Sequence, residues 1–69
     1  MEIDRTMISD AISRLGDPIT ISDVLNELGM DICRENKMKV KTILEEFVKR
    51  KWLSNSTNLY FRTFERFMV

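Results

Sequence analysis

"KVKTILEEFVKRKWLSNSTNLYFRTF", residues 39–64, changes its period in the middle, and that change decides the fold. Val40, Ile43, Leu44, Phe47 and Val48 fall at i, i+3, i+4, i+7 and i+8, one apolar stripe on an α-helix. From Trp52 the pattern alternates instead. "WLS" and "LYFRTF" flank the polar turn "NSTN" at 55–58, with Leu59, Phe61 and Thr63 pointing one way and Tyr60, Arg62 and Phe64 the other. A helix running straight into a β-hairpin is expected. Trp52 stands at the junction and is expected to anchor the hairpin against the helix with its large apolar body.

Upstream, a first helix is expected from about Asp4 to Leu15, with Ile8, Ala11, Ile12 and Leu15 at helical spacing. "GDP" at 16–18 stops it, Gly16 being read as a left-handed C-cap and Pro18 as a residue that cannot extend the turn. "PIT" is too short for a free strand but long enough to pair at the edge of a small sheet. A second helix starts after Thr20, which caps it while Asp23 reaches back from N3. Ile21, Val24, Leu25 and Leu28 form its inner face, and Gly29 ends it. The start of the third helix is open between Asp31 and Asn36 as caps. Cys33, beside Ile32, reads as a buried apolar filler. The tail "ERFMV" either continues the strand or closes as a turn of helix.

A helix, an edge strand, a helix pair and a hairpin, carried by "DPITISDVLNELG" and "KVKTILEEFVKRKWLS", resemble the winged-helix family, a variant of the helix-turn-helix. The likeness covers nearly the whole chain, so residues 1–69 read as one mainly α domain with a small antiparallel sheet. One departure is the link "GMDICRENK", longer than a tight turn unless the third helix begins near Asp31. The resemblance implies that the third helix enters the major groove of DNA and that the wing touches backbone or minor groove. It thereby assigns DNA contacts to Asn36, Lys37, Lys39, Lys41 and Thr42, and a backbone contact beside the wing to Arg62. The residue types suit such contacts, since Asn pairs with an adenine edge, Lys with guanine or phosphate, and Thr with a base or a methyl group. The competing account is that lysines keep a helix surface wet.

Other residues weigh against DNA. Glu45 and Glu46 would repel phosphates, and they precede Lys49 and Arg50 by four residues, the favourable order for helix-surface ion pairs. Lys49, Arg50 and Lys51 complement the negative end of the helix dipole. The wing tip from Asn55 to Asn58 contains no Lys or Arg.

The totals narrow the function further. The chain has 69 residues, 43% of them apolar, the composition of a small folded domain rather than a disordered segment. Its net charge of zero conceals −5 over residues 1–33 and +5 over residues 34–69. Without histidine there is no ordinary triad and no easy neutral-pH base. The two glycines lie at expected helix ends rather than in a phosphate-cradling loop. An enzyme is therefore not expected, nor a cofactor, a metal or a small-molecule substrate. The lone Cys33 makes no internal disulfide, the N-terminus opens with acids, and no apolar run could span a bilayer. These features suggest a cytoplasmic protein, nucleoid-associated or in a host cytoplasm if viral. Two partner classes remain. One is double-stranded DNA, bound by a small transcriptional regulator or a replication or recombination accessory factor. The other is protein, a second copy included, docked on Phe64, Phe67 and Met68 or on the acidic first half.

Overall fold

The computed structural model describes residues 2–63. Helices α1 (Arg5–Arg14), α2 (Ile21–Leu28) and α3 (Arg34–Lys49) precede an antiparallel hairpin of β1 (Leu53–Ser56) and β2 (Leu59–Arg62). This is a winged helix-turn-helix architecture.

The first two helices begin on local signals. The Asp4 carboxylate accepts the Met7 N–H at 2.9 Å and caps α1. At α2 both halves of the capping box form: Thr20 Oγ1 accepts the Asp23 N–H at 3.0 Å, and Asp23 Oδ2 accepts the Thr20 N–H at 3.2 Å. Gly29 ends α2 at φ +70°, where the Met30 N–H reaches back to the Leu25 carbonyl at 3.0 Å. α3 ends in the same way, but with Lys51 at φ +64° in the left-handed position, while the Trp52 N–H bonds the Phe47 carbonyl at 2.9 Å.

The core gathers one stripe from each element. Ile8, Ala11 and Ile12 of α1, Val24 and Leu25 of α2, and Val40, Leu44 and Phe47 of α3 are buried, together with Ile3, Ile19, Leu53 and Tyr60. β2 lies in the middle of the sheet. One edge pairs with β1 in the register Leu53↔Arg62, Ser54↔Phe61, Asn55↔Tyr60 and Ser56↔Leu59. The other edge pairs with Ile19, whose N–H and carbonyl each exchange a 2.8 Å bond with Tyr60. The expected edge pairing of "PIT" is thus met by a single bridge. Trp52 packs on Phe47 with ring centroids 5.2 Å apart, tying the start of the wing to the end of α3.

Four expectations need correction. α1 ends at Leu15 in an extended conformation (φ −91°, ψ 149°), so Gly16 supplies no left-handed cap. α3 begins at Arg34 behind Cys33, with no side-chain cap bond, so neither Asp31 nor Asn36 caps it. Cys33 is exposed rather than buried, because the five-residue link from Gly29 to Cys33 runs over the surface. The hairpin turn is shorter than "NSTN", because β1 continues through Ser56 and leaves Thr57 and Asn58 to turn, Thr57 at φ +59°. Phe64, Phe67 and Met68 lie outside the described residues, as does the tail "ERFMV". Among the described residues no helix is long and apolar enough to cross a membrane.

Candidate functional site

Burial of Val40, Leu44 and Phe47 turns α3 so that its polar residues fall on two different shoulders. Arg34, Lys37, Met38 and Lys41 stand at i, i+3, i+4 and i+7, and Glu45 and Lys49 continue that row. This shoulder faces the N-terminus of α2 and the wing. Ile21, Arg34, Lys37, Met38 and Lys41 line one recess there. Beside it a groove runs between Lys41, Glu45 and Lys49 on the helix and Asn55, Thr57 and Asn58 on the wing, with Tyr60 in its wall. The other shoulder carries Glu35, Lys39, Glu46 and Arg50.

Ion pairing separates the two shoulders chemically. Glu46 is the hub of the second: Arg5 Nε donates to its carboxylate, at 2.9 Å to Oε2, and Arg50 approaches Oε1 at 3.6 Å. The hydrogen bond from Arg5 holds the Glu46 carboxyl below the usual carboxylate range, and the charges of Arg5 and Arg50 add to that shift. Lys39 pairs with Glu35 at 3.5 Å. Elsewhere Arg14 pairs with Glu27 at 2.8 Å and Arg62 approaches Asp17 at 3.4 Å. Among the described residues, the cations outside any ion pair are Arg34, Lys37, Lys41, Lys49 and Lys51. The first four line the wing-side shoulder and its groove, opposed there by Glu45 alone. A molecule of zero net charge therefore carries a strip of locally positive surface.

Glu45 also bears on Tyr60 in the groove's wall. Burial raises the Tyr60 phenol above its ordinary value, and the charge of Glu45 raises it further, against a hydrogen bond with Asn55 that lowers it. Tyr60 thus stays a neutral hydroxyl at the wing's inner face.

The six residues singled out from the sequence do not form one surface. Lys37 and Lys41 share the wing-side shoulder and are exposed. Lys39 lies across the helix, paired to Glu35. Thr42 sits between the shoulders, and its hydroxyl donates to the Met38 carbonyl at 2.9 Å. Asn36 is half-buried and donates from Nδ2 to the Asp31 carbonyl at 3.0 Å, securing the link before the helix. Arg62 turns inward: its backbone N–H bonds Asp17 Oδ1 at 3.2 Å, and its Nε is buried without a hydrogen bond. Sequence reasoning missed Arg34 and gave Lys49 a dipole role and an ion pair with Glu45 that does not form. The signal that finds Arg34 is the row at i, i+3 and i+7 with Lys37 and Lys41, once α3 is known to begin there, and steps of four from Lys41 through Glu45 reach Lys49.

Among the described residues no group of His, Cys, Asp or Glu could hold a metal ion. Comparison with family models, with curated proteins and with solved structures gives no match. The arrangement is that of a small winged-helix module, a fold generally used to bind DNA or protein.

Proposed function

We propose that this protein binds double-stranded DNA through the wing-side shoulder of α3 and the adjoining groove, as a small regulator of transcription or an accessory factor in replication or recombination. One observation carries the reading: the cations outside any ion pair collect on that shoulder, while those elsewhere in the described chain, Lys51 apart, are neutralised by acids. Arg34, Lys37, Lys41 and Lys49 hold phosphates. Asn55, Thr57 and Asn58 at the exposed wing tip add neutral hydrogen bonds to the backbone, which positions the duplex without reading it. Lys39 and Arg62 contribute less in this arrangement, because each already has a carboxylate partner.

The test is fluorescence anisotropy of a labelled random-sequence duplex at low salt. Saturable binding is expected, and Lys37→Glu combined with Lys41→Glu abolishes it without loss of helical circular dichroism. Flat anisotropy with folded wild-type protein at high micromolar concentration overturns the proposal. A second reading, a protein-contact module, draws on Ile32 and Met38, the two large apolar side chains left exposed in the described chain. That reading gains if the duplex fails.

A further inference from the structure

We infer that the crest of α3 reads the 5-methyl groups of thymine in the major groove, through Met38 and the methyl of Thr42, rather than hydrogen-bonding groups of the bases. The inference rests on the DNA-binding reading and goes beyond it by naming the base feature recognised. Met38 is 59% exposed, one of two large apolar side chains left exposed in the described chain, and it stands among cations. Thr42 is the next residue along the same line of the helix, four positions on. Its hydroxyl proton is committed to the Met38 carbonyl at 2.9 Å, which leaves the methyl as the apolar group it offers outward. Asn36, the residue best suited to an adenine edge, is half-buried and bonded to the Asp31 carbonyl. The first turns of α3 therefore present apolar groups at their crest and long cations beside it.

The surroundings decide what covers Met38. The recess it shares with Ile21 is ringed by Arg34, Lys37 and Lys41, none of them in an ion pair. An apolar protein surface laid over Met38 would strip water from three cations and return nothing to them. Duplex DNA brings phosphates to the cations and, on the thymine edge of its major groove, an apolar methyl to the helix. At 270 Å³ the recess lies below the roughly 300–1,000 Å³ usual for small-molecule sites. It suits the edge of a larger partner better than an enclosed ligand.

The experiment compares alternating adenine–thymine and adenine–uracil duplexes of equal length by anisotropy, at one salt concentration and over a salt series. Removing the methyls should weaken binding by at least about four-fold, the worth of one buried methyl. Met38→Gln combined with Thr42→Ser, which removes both apolar groups and keeps the Thr42 hydroxyl, should erase the thymine preference and leave the salt slope unchanged. A guanine–cytosine duplex should bind more tightly when its cytosines carry 5-methyl groups, which restores the methyl at the same groove position without thymine. Equal affinity for the thymine and uracil duplexes, with steep salt dependence in both, overturns the inference and leaves the phosphate contacts standing. A thymine preference that survives the paired substitution, or no response to 5-methylcytosine, also overturns it, by assigning the preference to duplex shape. Absence of binding to every duplex removes the DNA reading and this inference together.

Discussion

Lys39 and Lys41 are two residues apart, of the same type and both exposed, yet the structure gives them different surroundings. Lys41 lies on the wing-side shoulder among cations without acid partners; Lys39 lies across the helix beside Glu35 at 3.5 Å. Replacing each by alanine in turn isolates that difference. If Arg34, Lys37, Lys41 and Lys49 each neutralise one phosphate, the logarithm of the binding constant falls with the logarithm of salt at a slope of about −3.6, or −0.9 per contact. Between about 50 and 200 mM salt the wild-type protein then loses about 150-fold in affinity. Lys41→Ala should flatten the slope to about −2.7 and reduce that loss to about 40-fold, whereas Lys39→Ala should leave the wild-type slope in place. Anisotropy titrations of one labelled duplex at four or more salt concentrations give all three slopes. Equal flattening by both substitutions refutes the division of α3 into two shoulders. A flatter slope for Lys39→Ala alone would place the duplex on the α1 side of the helix.

Glu45→Gln removes the acid that opposes those four cations, and should tighten duplex binding about five-fold at low salt, the worth of roughly 1 kcal/mol between charges about 4 Å apart in water; unchanged affinity would place the phosphates away from the groove. Lys51→Gly relieves a left-handed conformation at the end of α3 and should stabilise the fold by about 1 kcal/mol, raising the melting temperature by roughly 4–8 °C. A lower melting temperature would mean that the Lys51 side chain makes a contact that outweighs the strain. The Glu46 carboxyl is held below its ordinary value of 4.5 by the Arg5 hydrogen bond, so its contribution is full above that value and is lost as pH falls through the lower folded value. Thermal melts should accordingly show the wild type losing stability faster than Glu46→Gln over that acidic interval, with the two curves becoming parallel below it; parallel curves throughout would refute the linkage.

What is legible in the sequence is what lies within one turn of a helix or one step of a strand. The Thr20–Asp23 capping box, the Gly29 stop and the stripe from Val40 to Val48 depend on neighbours no more than eight residues apart, and each forms as expected. That "PIT" pairs at a sheet edge is legible, but that it does so by one bridge to Tyr60, 41 positions away, is not. Cys33 reads wrongly because apolar character alone does not reveal that a link runs over the surface. The site is legible in kind but not in arrangement. Arg5 meets Glu46 across 41 positions and Arg62 meets Asp17 across 45, separations that no local period encodes. Those two contacts help decide which cations are already neutralised. Without the fold, Arg62 looks available and Lys39 looks equivalent to Lys41.

The zero net charge hides that allocation and does not weaken the case for an anionic partner. Asp4 and Asp23 are occupied in helix capping, and Asp17, Glu27, Glu35 and Glu46 as ion-pair partners, and none of them lines the recess or groove of the wing-side shoulder. These acids stabilise helix starts and tie elements together while leaving four cations on one strip, lined among the described residues by Glu45 as its one acid. Beyond a Debye length, about 8 Å at physiological salt, a duplex meets a nearly neutral body and is steered weakly. Within that distance it meets the strip. Association should therefore be slower than for a basic domain of equal size, and its rate should respond little to salt. The salt dependence should appear instead in dissociation, where the four contacts must be broken and counterions return. Stopped-flow association at two salt concentrations separates these cases: an association rate that falls as steeply as the equilibrium constant would mean that the long-range field, and not the local strip, governs the encounter.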